Sequence, residues 1–146
     1  MTSVRAGRRR VDWGALADAA RAALGRAYAP YSKFRVGAAL LGDSGTVHVG
    51  FNVENVSYGL SMCAERTAVY AALIAGERKF RALAIATDSP NPISPCGACR
   101  QVLAEFCSDL PVLLVPLRGR PRRYTLKALF PAAFFDFPGA PRRTRR

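Results

Sequence analysis

The spacing of apolar residues changes along the chain between a helical period and the short runs that are typical of strands. An amphipathic pattern predicts a first helix over residues 11–27, ended by Pro30. Apolar runs then predict four strands, the first two joined by a glycine-containing turn at residues 42–45; they cover residues 34–41, 46–53, 80–87 and 111–115.

Two further amphipathic stretches separate the strands. One begins at Cys63 and closes at Gly76, and its predicted apolar face consists of Ala68, Ala71, Ala72 and Ile74. The other follows two proline-containing turn signals at residues 91–95, with an apolar face of Val102, Leu103 and Phe106. Thr125 is expected to cap a short closing helix that runs to Phe130. This order of elements predicts an α/β fold, a mixed sheet between helices in a three-layer sandwich.

The composition fits one compact domain. A chain of 146 residues, of which 50% are hydrophobic, can bury one substantial core but hardly two. No apolar run approaches the roughly 20 residues that a membrane-spanning helix needs, and the basic N-terminus lacks the apolar stretch of a secretory signal. Cysteines suited to metal rather than to disulfides fit a reducing compartment, so we expect a cytoplasmic location and no membrane partner.

The formal net charge of +12 could indicate a nucleic-acid partner, but its distribution argues against one. Residues 11–117 contain nine basic and nine acidic residues, so the excess lies entirely in residues 1–10 and 118–146. We expect one catalytic domain over residues 11–135, between a basic disordered tail at residues 1–10 and a basic, flexible tail at residues 136–146. A nucleic-acid partner is not expected.

Three cysteines have the spacing of a metal site. Cys63 lies two residues before Glu65, while Cys96 and Cys99 form a Cys-x-x-Cys pair whose sulfurs can reach one ion from a single turn. All three lie at or near predicted helix N-termini, where the backbone N–H groups and the helix dipole favour thiolate. A lone Cys-x-x-Cys could equally be a redox pair or half of a structural zinc site. Cys107 is a possible fourth ligand of such a closed site, but we expect a buried or free thiol there.

A carboxylate beside the thiols distinguishes a hydrolytic metal site from a structural one. A catalytic zinc ion lowers the pKa of a water molecule, and a nearby acid that is not a ligand moves the protons. Glu65 is that acid, and Cys-x-Glu with Pro-Cys-x-x-Cys is the three-cysteine form of the zinc deaminase signature. Three thiolates leave the ion with a net negative charge, which weakens this effect. Arg66 is therefore expected to donate to the thiolates; an ordinary surface arginine is the alternative.

Three blocks of the sequence resemble the cytidine deaminase family. They are YSKFRVGAA at residues 31–39, NVENVSYGL at residues 52–60 running into CAER at residues 63–66, and SPCGACRQVL at residues 94–103. The resemblance extends over residues 29–134 and is to the short, single-domain type, which in that family is a homotetramer with one zinc ion per subunit. It implies a three-layer α/β/α sandwich with a mixed five-stranded sheet.

The resemblance also implies a role for each matched position. The zinc ligands are matched by Cys63, Cys96 and Cys99, and the proton shuttle by Glu65. The groups that touch the nucleoside are matched by Phe34 on the pyrimidine ring, Asn52 and Glu54 on the ribose hydroxyls, the Ala64 N–H on the base carbonyl, and the Ser94 carbonyl near the leaving ammonia. Phe134 matches a C-terminal aromatic that reaches a neighbouring subunit's site, although Phe130 stands where that motif usually has leucine.

Without the family, the nucleoside contacts are less specific. Asn52 and Glu54 alternate along a predicted strand, so their side chains share one face and suit a vicinal diol. An ordinary polar face of a half-buried strand is the more general explanation of the same pattern. Phe34 taken alone fits the hydrophobic core.

Together these features predict zinc-dependent hydrolytic deamination of cytidine and deoxycytidine to uridine and deoxyuridine plus ammonia, in pyrimidine salvage. An alternative with the same fold is deamination of another cytosine-bearing molecule, such as a nucleoside antibiotic or an exposed base in RNA or DNA. The Asn52 and Glu54 pair suits free ribose hydroxyls, and polymer-editing relatives tend to have histidine where Cys63 stands. A non-enzymatic alternative is an RNA-binding module with the arginine tails and a fourth zinc ligand at Cys107.

Overall fold

The computed structural model describes residues 9–139. In chain order the elements are α1 (Trp13–Leu24), β1 (Val36–Gly42), β2 (Val47–Phe51), a short 3-10 helix (Tyr58–Leu60), α2 (Ala64–Ile74), β3 (Phe80–Thr87), α3 (Gly97–Phe106), β4 (Pro111–Val115), β5 (Arg122–Thr125) and α4 (Leu126–Leu129). The basic tails predicted at residues 1–10 and 136–146 lie mostly outside the described residues. None of the helices within residues 9–139 is long and apolar enough to cross a lipid bilayer.

The five strands form one mixed sheet in the order β2-β1-β3-β4-β5. Strand β1 pairs antiparallel with both β2 and β3, β3 pairs parallel with β4, and β5 returns antiparallel to β4. The parallel pair requires a crossover, and α3 provides it. The predicted mixed five-stranded sheet is therefore confirmed, with β5 as a strand that the apolar pattern did not locate.

Helices cover both faces of the sheet. Leu16, Ala17 and Ala20 of α1 pack on one face, against small and branched residues of β1, β3 and β4. Helices α2, α3 and α4 cover the opposite face, where Ala68, Val69 and Leu103 belong to one core with alternate residues of the same strands. The three-layer α/β/α sandwich is confirmed. Both helices that begin at the cysteine motifs lie on the same face.

Two glycines allow a helix to approach the sheet closely on each face. A Cβ atom at Gly37 would lie 2.1 Å from the Ala20 carbonyl oxygen of α1. A Cβ atom at Gly50 would lie 2.3 Å from the Ala68 nitrogen and 2.4 Å from the Thr67 hydroxyl oxygen of α2. Real Cβ atoms do not approach backbone atoms so closely, so any side chain at these positions would displace a helix.

The observed bounds correct several sequence-based predictions. Helix α1 begins at Trp13 rather than at residue 11, because the Asp12 side chain accepts the Ala15 N–H at 3.0 Å, and it ends at Leu24 rather than at residue 27. Strand β1 begins two residues later than predicted, and β2 ends two residues earlier. The bounds predicted for β3 and β4 agree with the structure.

The predicted apolar face of α2 was wrong at its end. Ile74 is 88% exposed, whereas Ala68 and Ala72 are buried as predicted. Residues six positions apart on an α-helix differ by roughly 120° in direction, so Ile74 points away from the sheet when Ala68 points toward it. Gly76 follows the helix with a φ of 96°, which confirms its predicted closing role. The Thr125 hydroxyl caps α4 by accepting the Ala128 N–H, also as predicted.

The close approach of α2 to the sheet predicts a specific loss of stability. Gly50→Ala should lower the free energy of unfolding by about 1–3 kcal/mol, because α2 must move to admit the methyl group. Gly59→Ala is a matched control, since a Cβ atom there has nothing within 4 Å. Urea unfolding of both variants measures the difference, and equal midpoints would contradict the packing described here.

Candidate active site

Three cysteine side chains converge where α2 and α3 begin. Cys63 is the N-cap residue of α2, Cys96 is the N-cap residue of α3, and Cys99 lies in the first turn of α3. Their sulfur atoms all lie within 4.8 Å of one another. Because the first turn of a helix presents unpaired N–H groups and the positive end of its dipole, both helices favour negative charge on these sulfurs.

The geometry of the thiols fits a zinc ion. Two sulfur ligands at the usual zinc–sulfur distance and a tetrahedral angle lie roughly 3.8 Å apart. The Cys63 and Cys96 sulfurs are separated by 3.7 Å. In the described part of the chain, no histidine, carboxylate or further cysteine joins the three thiols as a potential ligand. Three protein ligands leave one coordination position for water, as catalytic zinc sites do.

Cys107 does not belong to this cluster. It caps the C-terminal end of α3, eight residues beyond Cys99, which corresponds to about 12 Å along a helix. Burial raises the pKa of its thiol to about 12, so it stays protonated. The structure therefore places Cys107 where a buried thiol was expected and argues against a closed four-cysteine site.

Hydrogen bonds among the thiols and with Arg66 change the pKa values of the thiols. A hydrogen bond from Cys99, and then one from Arg66, lower the pKa of the Cys63 thiol to about 5. The pKa of Cys99 is raised, first by its hydrogen bond to Cys63 and then by its burial. The Arg66 Nη2 lies 3.4 Å from the Cys63 sulfur. The half-buried guanidinium thus faces the thiols, and its role in compensating their charge remains a proposal.

Glu65 lies in the first turn of α2, and only 6% of its surface is exposed. The Cys99 sulfur is 3.6 Å from its Oε2 atom. Burial raises the pKa of the carboxyl group, and the negative charge of Cys63 raises it further. A carboxyl group whose pKa lies closer to neutral can both accept and release a proton near the working pH, which is the property a proton shuttle requires.

Asn52 and Glu54 hold one loop through side-chain hydrogen bonds. The Asn52 Oδ1 accepts the Val36 N–H at 2.9 Å, and its Nδ2 donates to the Phe34 carbonyl at 2.8 Å. The Glu54 Oε1 accepts the N–H groups of Tyr31 and Ser32, each at 3.0 Å. The Ser32 hydroxyl donates to the other carboxylate oxygen. We call residues 31–36 the substrate loop, because the family resemblance implies a contact of Phe34 with the pyrimidine ring.

The strand that was predicted to carry Asn52 and Glu54 ends at Phe51, so that prediction was wrong in its bounds. The two side chains nevertheless contact the same loop. Their hydrogen-bonding capacity is not exhausted, because a carboxylate has about four acceptor positions and an amide has two N–H groups. The Ser32 hydroxyl, followed by the Ser32 N–H, lowers the pKa of Glu54, which therefore stays an ionised acceptor.

The remaining predicted residues occupy three different settings. Ala64 is the first residue of α2 and is fully buried. Phe34 is 37% exposed, which argues against its being part of the hydrophobic core. Phe134 is 64% exposed, and its carbonyl oxygen accepts a hydrogen bond from Gln101. None of these observations by itself assigns a substrate contact.

Two residues of the site were missed by the sequence analysis. The Ser32 hydroxyl links Glu54 to the substrate loop and accepts the Phe34 N–H at 3.0 Å. The Arg100 side chain contacts the loop that precedes Cys96. Both lie inside the blocks that resemble the family, but no periodicity marks them, because their contacts are set by the path of the folded chain rather than by spacing.

Comparison with known proteins agrees with the geometry of the thiol cluster in indicating a zinc site. The family model described as "Cytidine and deoxycytidylate deaminase zinc-binding region" matches residues 14–114. The chain belongs to the cytidine deaminase family. Cys63, Cys96, Cys99 and Glu65 lie within the matched residues, whereas Phe134 lies beyond them. Membership of this zinc family and the geometry of the thiol cluster together fit one zinc ion per subunit.

Individual relatives are similar over most of the chain. A cytidine deaminase of Sporosarcina psychrophila is 53% identical over 110 residues, which cover 75% of this chain and 81% of the relative. A cytidine deaminase of Mycobacterium tuberculosis is 48% identical over 124 residues, which cover 85% of this chain and 90% of the relative. The crystal structure of the Burkholderia pseudomallei cytidine deaminase superimposes with a TM-score of 0.80 at 49% identity and covers 85% of this chain and all of that one.

The separation of Cys107 from the thiol cluster predicts which cysteine is required for zinc. Cys96→Ser should weaken zinc binding enough that, after dialysis against a chelator, the purified variant contains well under one ion per chain, because a hydroxyl is a poor substitute for a thiolate. Cys107→Ser should retain the zinc content of the unaltered protein. Elemental analysis after dialysis measures both variants. Loss of zinc from the Cys107 variant alone would contradict the arrangement.

Proposed function

We propose that this chain converts cytidine and deoxycytidine to uridine and deoxyuridine by replacing the amino group at C4 of the base with oxygen from water. The observation that carries the proposal is the buried Glu65 carboxyl with its raised pKa, 3.6 Å from the Cys99 sulfur of a thiol cluster that fits zinc. A structural metal site has no use for such a carboxyl. The zinc deaminase reaction requires one.

Glu65 would move two protons in succession. When bound by Cys63, Cys96 and Cys99, the zinc ion supplies Lewis acidity that makes a water molecule a nucleophile near neutral pH. Glu65 takes a proton from the attacking water and delivers it to N3 of the ring, which makes C4 electrophilic. It then takes the remaining proton of that water from the hydroxyl now on C4 and passes it to the amine as the C4–N bond breaks, so that C4 becomes a carbonyl and ammonia leaves. One carboxyl therefore acts first as base and then as acid.

The charge around the thiols is suited to this chemistry. The N-termini of α2 and α3 and the Arg66 guanidinium all place positive charge beside the sulfurs. Each reduces the electron density that the thiolates give to the metal, which preserves its ability to acidify water. We propose that Arg66 contributes in this way to turnover.

The substrate loop and the start of α2 provide the nucleoside contacts in this proposal. The free acceptor and donor positions of Glu54 and Asn52 would bind the ribose hydroxyls, and the ring of Phe34 would pack on the base. The Ala64 N–H, in the first turn of α2, would donate to the base carbonyl. Deoxycytidine has the same base and keeps the 3′-hydroxyl, so the same groups serve both nucleosides.

We also propose that the enzyme works as a homotetramer in pyrimidine salvage in the cytoplasm. Resemblance to the short family members supports the assembly. Exposed apolar side chains in the segment before Cys63 are consistent with burial by other copies; they include Val56, Tyr58 and Leu60. Free thiols suited to metal favour a reducing compartment. Phe134, exposed in one chain, would complete a neighbouring subunit's site.

The first test of the proposed function is the loss of ultraviolet absorbance as cytidine is converted to uridine. Glu65→Gln should lower kcat by about 10²–10⁴ or more, since the amide cannot carry the protons. The variant should still bind zinc, because Glu65 is not a ligand. Glu105→Gln, an exposed change on α3, is the matched control and should keep full activity. A fully active Glu65→Gln enzyme would exclude this mechanism.

The assembly is tested by mass in solution. Sedimentation should give a mass near four times the 15.8 kDa of one chain. Phe134→Ala should leave that mass unchanged while lowering kcat/KM by about tenfold, the scale of one lost aromatic contact with a base. A mass near that of one chain would contradict the tetramer and would remove Phe134 from a neighbouring site.

A further inference from the structure

The side chain of Arg100 connects two segments that are distant in sequence. Its Nε donates to the Pro95 carbonyl at 2.7 Å, and its Nη2 donates to the Ser94 hydroxyl at 3.0 Å. Its Nη1 donates to the Leu129 carbonyl at the end of α4. A single half-buried guanidinium therefore binds both the loop before Cys96 and the last turn of α4.

The loop before Cys96, residues 92–95, has little other support. Within residues 9–139, none of these four residues takes part in a backbone–backbone hydrogen bond. Pro95 is nevertheless fully buried. The loop is thus fixed by packing of Pro95 and by the two bonds from Arg100. We call residues 92–96 the ligand loop, since they end at Cys96.

The next residue of α3 holds the same C-terminal region. The Gln101 Nε2 donates to the Phe134 carbonyl at 2.7 Å. Arg100 and Gln101 therefore bind the two ends of residues 129–134, which we call the C-terminal segment. Within residues 9–139, the side-chain hydrogen bond of Gln101 goes to Phe134 and not to the ligand loop. Of these two side chains, Arg100 alone spans both segments.

We propose that Arg100 is a positioning residue that fixes the ligand loop against the C-terminal segment and so couples the order of one to the order of the other. This proposal rests on the proposed function in one respect, because the family resemblance implies that the Ser94 carbonyl lies near the ammonia that leaves in that reaction. A displaced ligand loop would misplace that carbonyl during C4–N cleavage, while the sugar contacts at Asn52 and Glu54 would remain. Arg100 therefore affects kcat more than KM.

The chemistry of arginine suits this role. The planar guanidinium presents five N–H donors in a fixed fork, so three acceptors in different directions can be bound at once. Lysine has the same charge but a single flexible donor centre, and it can satisfy one or two of those acceptors without holding their relative positions. Arg100→Lys is therefore expected to be intermediate rather than neutral.

Steady-state kinetics and NMR relaxation of backbone amides together test the proposal. Arg100→Ala should lower kcat by about 10–100-fold, the scale of a misplacement of about 1 Å, and change KM less than about threefold. The backbone NMR order parameters of the non-proline residues should fall in both the ligand loop and the C-terminal segment, toward the values of flexible loops. Gln101→Ala should lower the order parameters in the C-terminal segment alone. Arg100→Lys, which keeps the charge, is measured in the same way in case the alanine variant does not fold.

Arg78→Ala is the matched control. Its guanidinium also binds two backbone carbonyls, those of Leu73 at 3.0 Å and Glu77 at 2.7 Å, but at the opposite end of α2. This variant should keep kcat within about twofold and leave the order parameters of both segments unchanged, because it contacts neither of them. A general loosening of the fold would lower order parameters throughout the chain and affect Arg78→Ala and Arg100→Ala alike.

The order parameters separate this proposal from the proposed function. If the unaltered protein does not deaminate cytidine, the proposed function fails, yet Arg100→Ala and Arg100→Lys must still lower the order parameters in both segments. Order parameters that fall in only one segment, or in neither, would overturn the coupling. A kcat that stays at the level of the unaltered enzyme, or a KM that rises as much as kcat falls, would overturn the positioning role.

Discussion

The convergence of two helix N-termini on one point is the constraint on which the rest of the site depends. Helices α2 and α3 begin with Cys63 and Cys96 and lie on the same face of the sheet. The cysteine side chains at these two N-termini lie close enough to bind one metal ion because each helix packs tightly on the strands. Gly50 permits this close packing for α2. The fold thus positions the thiols through its layers, and the local sequence then supplies the ligand atoms.

This convergence also determines the electrostatics. Several acidic groups lie together, and the positive ends of two helix dipoles and the guanidinium of Arg66 offset them. Glu65 has a raised pKa because it is buried and beside Cys63. A buried carboxyl without a strong partner costs stability. A stable fold would not need one here, and the proton transfer that we propose for Glu65 would account for this cost.

The sequence predicts those parts of the structure that depend on local pattern. Strands β3 and β4 are buried on both faces and bounded by turn signals, so their apolar runs mark their ends correctly. Strand β5 was not located because all four of its residues are exposed and two are arginines. The cysteine spacing and Glu65 are equally local, and they indicated the chemistry. Arg100 and Ser32 form hydrogen bonds with other segments or with the backbone of a loop. The spacing of apolar residues carries no information about such contacts.

The substrate loop illustrates why such contacts are needed. Lys33 has a φ of 61°, a left-handed conformation that costs a residue with a Cβ atom roughly 1 kcal/mol or more. The carboxylate of Glu54 accepts the N–H groups of Tyr31 and Ser32, which precede Lys33, and the Ser32 hydroxyl accepts the N–H of Phe34. Side chains thus replace the backbone partners that a strand would have offered. This places Phe34 at the surface rather than in the core, and it leaves Asn52 and Glu54 with spare hydrogen-bonding positions at the edge of the same loop. Binding of a nucleoside there would therefore need little rearrangement, because the groups proposed to bind it already hold the loop in place.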